Sequence, residues 1–206
     1  MRTVFSTLTG IVLLLVPLTG YGGAQKYEPL SASVQATLHR AIADQAVPVL
    51  AFDDAHEARA WLAAMTSRLA RRIPDRVARE EFLLTVHYEA KRAGLDPQLV
   101  LGLIQVESAF RKYAVSSAGA RGYMQVMPFW AKLIGTTEHN LFHLRTNLRY
   151  GCTILRHYLD MESGNLFRAL GRYNGSLGKA DYPNTVLRAW DGYWHYTPPA
   201  GIRTAH

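Results

Sequence analysis

Cysteine is almost missing from this chain of 206 residues; with Cys152 alone, neither an intramolecular disulfide framework nor a CxxC zinc or redox motif can exist. Acidic residues are the minority charge, 16 Asp and Glu against 23 Lys and Arg, for a formal +7. That imbalance favours a polyanionic partner and excludes none of three: nucleic acid, anionic lipid or an acidic cell-wall polymer. There is no repeat of 20–50 residues and no low-complexity block, which excludes a solenoid or a disordered tract. Long apolar runs are lacking too. The stretch Ile11–Val16 falls far short of the roughly 20 residues that span a bilayer, so no stable membrane anchor is expected. What the chain does have is 49% hydrophobic and 19% charged residues, enough to bury a full core.

The first residues order themselves as Arg2, a polar spacer, the apolar run, Pro17 and Gly20, then the small residues Gly22-Gly23-Ala24. This pattern predicts a secretory signal peptide over residues 1–24, an exported protein and a periplasmic location. Export counts against nucleic acid as a partner. No cysteine stands near Ala24 to carry a lipid, and Cys152 in an oxidising space reads as a buried, inert thiol.

Apolar periodicity beyond residue 24 is helical throughout and predicts an all-α fold. Val34, Leu38, Ala41 and Ile42 form one stripe that ends before Pro48. Asp54 with Glu57 signals the start of a second helix bearing Trp61, Leu62, Met65 and Leu69. Arg68, Arg71 and Arg72 close it, where cations oppose the macrodipole, so they read as a solvated helix end. Pro74 opens a third helix with Phe82, Leu83, Val86, Ala90 and Ala93, and Gly94 ends it. Residues 25–75 therefore form an N-terminal helical extension, residues 76–196 the main domain, and residues 197–206 a flexible C-terminal tail.

Asp96-Pro97 is the clearest start signal: the aspartate can cap free backbone donors, and proline at the first helical position loses no hydrogen bond. From Leu99 to Val106 nearly every residue is apolar, so this helix is expected to be buried all round, with Glu107 at its end. On the helix wheel Val100, Leu103 and Ile104 lie within about 60° of Glu107. A carboxyl among aliphatic side chains is poorly solvated, which disfavours its charge and suits a general acid. The alternative is a glutamate that reaches solvent at a fraying helix end.

Glu107-Ser108-Ala109-Phe110, followed by Ser116-Ser117-Ala118-Gly119-Ala120-Arg121-Gly122-Tyr123-Met124-Gln125 and Pro128, resembles the signature of the soluble lytic transglycosylase catalytic domain, a lysozyme-like family. Ala93–Pro97 upstream, Asn147 with Gly151, and Tyr173-Asn174 resemble further elements of it in the expected order, from about Phe82 to Trp194. Two departures stand out. Tyr123 replaces a leucine, and Gly175-Ser176 replaces a small residue followed by glycine.

The resemblance implies a lysozyme-like fold and an enzyme that cleaves the β-1,4 bond between N-acetylmuramic acid and N-acetylglucosamine without water, leaving 1,6-anhydromuramoyl ends. It implies Glu107 as the catalytic residue and Ser108, Met124, Gln125, Asn147, Tyr173 and Asn174 as substrate-binding positions. The side-chain types allow blander roles: helix capping for Ser108 and Asn174, packing for Met124, a core tyrosine bonded to a carbonyl for Tyr173. A true lysozyme on the same scaffold would need a second carboxylate, for which Asp181 and Glu138 are available. A third reading is a non-catalytic wall-binding or secretion-assembly component. His139 and His143 have metal-like spacing but no third ligand, so neither metal nor cofactor is expected. The expected partner is the peptidoglycan glycan strand; a secretion or conjugation apparatus is a further partner that the sequence leaves open.

Overall fold

A computed structural model describes residues 25–44, 46–52 and 54–198; the expected leader at 1–24 and tail residues 199–206 lie outside the described residues. The helices are α1 (Ala32–Ala43), α2 (Ala55–Leu69), α3 (Arg76–Arg92), α4 (Pro97–Ser108), α5 (Pro128–Ile134), α6 (Leu144–Met161), α7 (Leu166–Asn174) and α8 (Asp181–Arg188). A π-helical turn, Ala189–Trp194, continues α8. Among the described residues the only β pairing is a pair of isolated bridges, Val115 with Arg121 and Arg121 with Val126. The fold is all-α, as the periodicity predicts.

Local chemistry starts these helices. Asp54 accepts from the His56 N–H and Asp96 from the Gln98 N–H, the latter at 2.7 Å with Pro97 as the first helical residue. The start of α3 differs from the sequence reading: Asp75 is the cap, accepting from the Ala78 N–H at 2.7 Å, and Pro74 stays outside the helix. The carboxylate satisfies an amide that would otherwise be orphaned, so it marks the boundary. Gly94 (φ 66°) closes α3, with the Leu95 N–H returning to the Ala90 carbonyl at 2.9 Å.

Helix α4 runs through the centre. Leu99, Val100, Leu101, Leu103 and Ile104 are all buried, with α3, α8 and the π-helical turn packed around them. The π-helical turn grips α4 along its length: Trp190 Nε1 donates to Asp96 Oδ2 at 3.2 Å, and Trp194 Nε1 to Gln105 Oε1 at 3.0 Å. The axis that ends in Glu107 is thereby clamped at both ends.

The N-terminal extension belongs to the same core, to which α1 and α2 contribute Leu38, Ile42, Trp61, Met65 and Leu69. The last carbonyls of α1, which lack helical partners, are met by arginines: Arg92 reaches Ala41 O at 2.8 Å and Arg149 reaches Ile42 O at 3.1 Å. Arg149 also bonds Asp44 O, and Arg145 bonds Ala46 O. These guanidinium groups converge on Glu89, which is fully buried, at 3.0 Å for Arg92 and Arg149 and 3.3 Å for Arg145. No helix among the described residues is long and apolar enough to cross a membrane.

Candidate active site

Glu107 lies in the last turn of α4, 3% exposed, and the helix runs one residue beyond it to Ser108. The chain then reverses through two consecutive non-glycine residues in the left-handed region, Ala109 (φ 50°) and Phe110 (φ 65°). That conformation is costly and persists only where packing over-determines it. Here the buried Phe110 ring supplies the packing, 5.8 Å from Phe82 and 5.4 Å from Trp194.

Tyr182 on α8 is a direct partner of Glu107, its hydroxyl donating to Glu107 Oε1 at 2.5 Å. Burial, then the Glu107 charge and this hydrogen bond, push the Tyr182 phenol well above its ordinary range, so it stays a donor. Tyr173 on α7 is also driven well above its usual range, first by burial and then by the Glu107 charge. Its hydroxyl donates to the Met124 carbonyl at 2.7 Å.

The segment after α4 is held by side chains gripping its backbone. Ser108 Oγ donates to Tyr123 O at 2.7 Å and approaches Ile104 O at 3.2 Å. Asn147, fully buried on α6, accepts from the Met124 N–H at 2.8 Å and donates to Arg121 O and Leu141 O, both at 2.8 Å. Gln125, itself left-handed (φ 49°), donates to Gly122 O at 2.9 Å and Ala114 O at 3.2 Å. Gln25, from the N-terminal segment, donates to Gln125 O at 3.0 Å and accepts from the Met127 N–H at 2.9 Å. Almost every polar backbone group from Arg121 to Met127 has a partner from another element or from its own turn. Gly122 (φ 76°) has to be glycine here, since a Cβ would meet Asn147 Nδ2 at 2.4 Å.

The structure thus gathers Ser108, Met124, Gln125, Asn147 and Tyr173 into one assembly around the loop that follows Glu107; apart from Ser108 Oγ to Ile104 O and Asn147 Nδ2 to Leu141 O, their side-chain hydrogen bonds go to the backbone of that loop. Met124 has no exposed surface and packs on Gly151, where a Cβ would come within 2.3 Å of its sulfur. Asn174 is half-buried, with Nδ2 donating to Ser176 Oγ at 3.1 Å, and Gly175 caps α7 in the left-handed region (φ 71°). Tyr123 is half-buried with its ring 4.9 Å from Phe82.

Of the carboxylates raised for a lysozyme mechanism, Asp181 and Glu138 are both exposed. His139 bonds Tyr150 Oη at 2.7 Å, while His143 is exposed before α6. Sequence reasoning missed Tyr182 and stopped at its neighbour Asp181. The available signal was helical phase: Tyr182, Val186 and Ala189 share the buried face of α8 and its continuation, which turns Asp181 outward.

Residues 85–185 match the family model described as Transglycosylase SLT domain. Among curated proteins, a membrane-bound lytic murein transglycosylase C from Mannheimia succiniciproducens is 44% identical over 136 residues, covering 58% of this chain and 36% of that protein. A transglycosylase of Enterobacteria phage PRD1 is 34% identical over 111 residues, covering 50% and 41% respectively. This chain therefore spans less than half the length of either relative. A solved structure of an inactive mutant of the lytic transglycosylase Slt from Pseudomonas aeruginosa aligns at a TM-score of 0.42 and 24% identity, over 53% of this chain and 21% of that one.

Proposed function

We propose that this chain, whose residues 85–185 belong to the transglycosylase SLT family, is a peptidoglycan lytic transglycosylase with Glu107 as its single acid and base. The observation that carries the reading is the buried Glu107 carboxyl at the end of an apolar helix, held by the Tyr182 hydroxyl. Two opposed influences act on that carboxyl. Burial among Val100, Leu103 and Ile104 favours the neutral acid, which can protonate the glycosidic oxygen between N-acetylmuramic acid and N-acetylglucosamine. The Tyr182 O–H then supports the carboxylate that remains.

The same carboxylate takes the proton from the muramic 6-hydroxyl as that oxygen closes on the anomeric carbon. The products are a 1,6-anhydro ring and a free hydroxyl on the leaving sugar; Glu107 is protonated again and no water is consumed. The exposed positions of Asp181 and Glu138 leave the one-carboxylate route better supported than hydrolysis. The side chains that grip residues 121–127 hold the backbone of the loop that follows the acid, so that sugar binding does not have to order it.

The +7 charge suits an acidic wall polymer, and the leader-like order of residues 1–24 supports export to the periplasm. The test is digestion of purified peptidoglycan with the chain and with Glu107→Gln, followed by mass spectrometry of the released muropeptides. Anhydro ends, one water lighter than hydrolysis products and absent with the variant, are expected. Reducing ends would overturn the mechanism in favour of a lysozyme, and wall binding without cleavage by the unaltered chain would favour a scaffold.

A further inference from the structure

Residues 25–30 carry no helix, and among the described residues no backbone–backbone hydrogen bond holds them. Lys26 to Pro29 are exposed, Tyr27 at 61%, whereas Gln25 is only 3% exposed. One side chain of a surface segment is thus aimed into the protein. Its carboxamide ends on two backbone groups of the loop that follows Glu107, donating to Gln125 O at 3.0 Å and accepting from the Met127 N–H at 2.9 Å.

The segment continues to a second element of the site. Tyr27 meets Phe129 edge-on at 5.7 Å, and Glu28 faces Arg172 on α7 at 3.3 Å. A cavity of about 150 Å³ separates Lys26 and Glu28 from Tyr158, Arg172, Gly175 and Leu177. Gly175 caps the helix that carries Tyr173 and Asn174. Residues 25–28 therefore strap the Gln125 loop to the end of α7, and these two elements meet beside the acid: the Tyr173 hydroxyl donates to Met124 O, and its phenol feels the Glu107 charge. Two neutral hydrogen bonds, one ring contact and one exposed ion pair over an unfilled gap are a weak attachment.

With Gln25 lifted away, the loop offers one N–H donor and one carbonyl acceptor, neither of them charged. A carboxylate has no donor for Gln125 O, and an ammonium has no acceptor for the Met127 N–H. The pair suits a neutral amide, which supplies both. The glycan backbone proposed above as substrate carries such a group on each sugar, its N-acetyl substituent.

We propose that residues 25–28 are an internal competitor of the glycan, with the Gln25 carboxamide standing where a sugar acetamido group binds. The choice of glycan rests on the function proposed above. When a strand binds, Gln25 leaves, the acetamido carbonyl accepts from the Met127 N–H, and the acetamido N–H or a neighbouring sugar hydroxyl donates to Gln125 O. Both backbone groups are met in either state, so neither form leaves them orphaned. The apparent affinity for glycan is lowered in proportion to the fraction of chains whose strap is released.

The probe is tri-N-acetylchitotriose, titrated into the full chain carrying Glu107→Gln so that no cleavage intervenes, while the Gln25 side-chain amide is followed by NMR. Its Nε2 protons are assigned by their loss in Gln25→Ala or, should that variant fail to fold, by their proximity to the Met127 amide. Saturable binding is expected to move these signals to the position and fast solvent exchange of a free glutamine amide. Adding Gln25→Ala should tighten sugar binding about tenfold, whereas a Gln25 that only braces the loop predicts weaker binding. Gln25 signals unmoved at saturation, no binding at millimolar sugar, or affinity unchanged or weakened by Gln25→Ala overturns the proposal. Cellotriose, with hydroxyls in place of the acetamido groups, should leave Gln25 docked; its release by this sugar overturns the acetamido assignment. Peptidoglycan cleavage by the unaltered chain with Gln25 unmoved by sugar defeats this proposal alone, whereas release of Gln25 in a chain that cuts no peptidoglycan defeats only the proposed activity.

Discussion

Tyr182 Oη and Glu107 Oε1 are 2.5 Å apart, a contact that ties α8 to the end of α4 across 75 residues of sequence. The bond is charge-assisted whenever Glu107 is ionised, and such bonds are the strong ones. Its removal is therefore a test of chemistry more than of folding. Tyr182→Phe keeps the ring in the core and deletes the donor; turnover on peptidoglycan is expected to fall about 10- to 100-fold with KM within about twofold. An unchanged kcat would show that the hydroxyl is structural only.

Gln25 acts on the site from outside the matched domain. Its side-chain amide bonds Gln125 O and the Met127 N–H, both at the edge of the loop that follows Glu107. Gln25→Ala leaves those backbone groups without partners at a position that is 3% exposed, at an expected cost of about 1 to 3 kcal/mol. Hydrogen exchange at the Met127 amide should quicken before that of α4 does. Equal protection of both in the variant would show that the amide does not hold the loop.

Glu89 is the counter-charge for Arg92, Arg145 and Arg149, which together hold the end of α1 and the chain after it. Replacing it with glutamine leaves the buried Arg149 guanidinium without its anion. A loss of about 3 kcal/mol in urea unfolding is expected, with earlier proteolytic cutting between α1 and α2. A variant as stable as the parent would reduce the cluster to a surface-like network.

Burial lowers His87 from 6.5 to about 4, with Lys91 adding to the effect. The unfolded chain binds a proton below about pH 6.5 that the folded chain takes up only near pH 4, so stability falls as pH drops through that window. The loss should be on the order of 2 kcal/mol between pH 7 and pH 4. His87→Phe should flatten this part of the unfolding profile; an identical pH dependence in parent and variant would refute the assignment.

Much of the architecture can be read from short-range signals. Asp54 and Asp96 announce their helices because a carboxylate next to free amides is a local arrangement, and the apolar run Leu99–Val106 announces a helix buried on every side. Asp75 is readable by the same rule, but the neighbouring Pro74 places the first helical residue two positions before Arg76. Ser108, Gln125, Asn147 and Tyr173 were legible as members of a motif, yet their bonding was not. Each can reach a ligand or a carbonyl equally well, and the partner depends on where the loop backbone lies.

Sequence alone determined the all-α class, the buried helix that carries Glu107 and the family signature around it, because periodicity, capping and motif spacing act over a few residues. Tertiary structure alone decided that Tyr182 meets Glu107 and that Gln25 reaches the loop of Gln125. Those pairings join residues 75 and 100 positions apart, and hydrogen bonds of about 3 Å leave no trace in the local pattern of a chain.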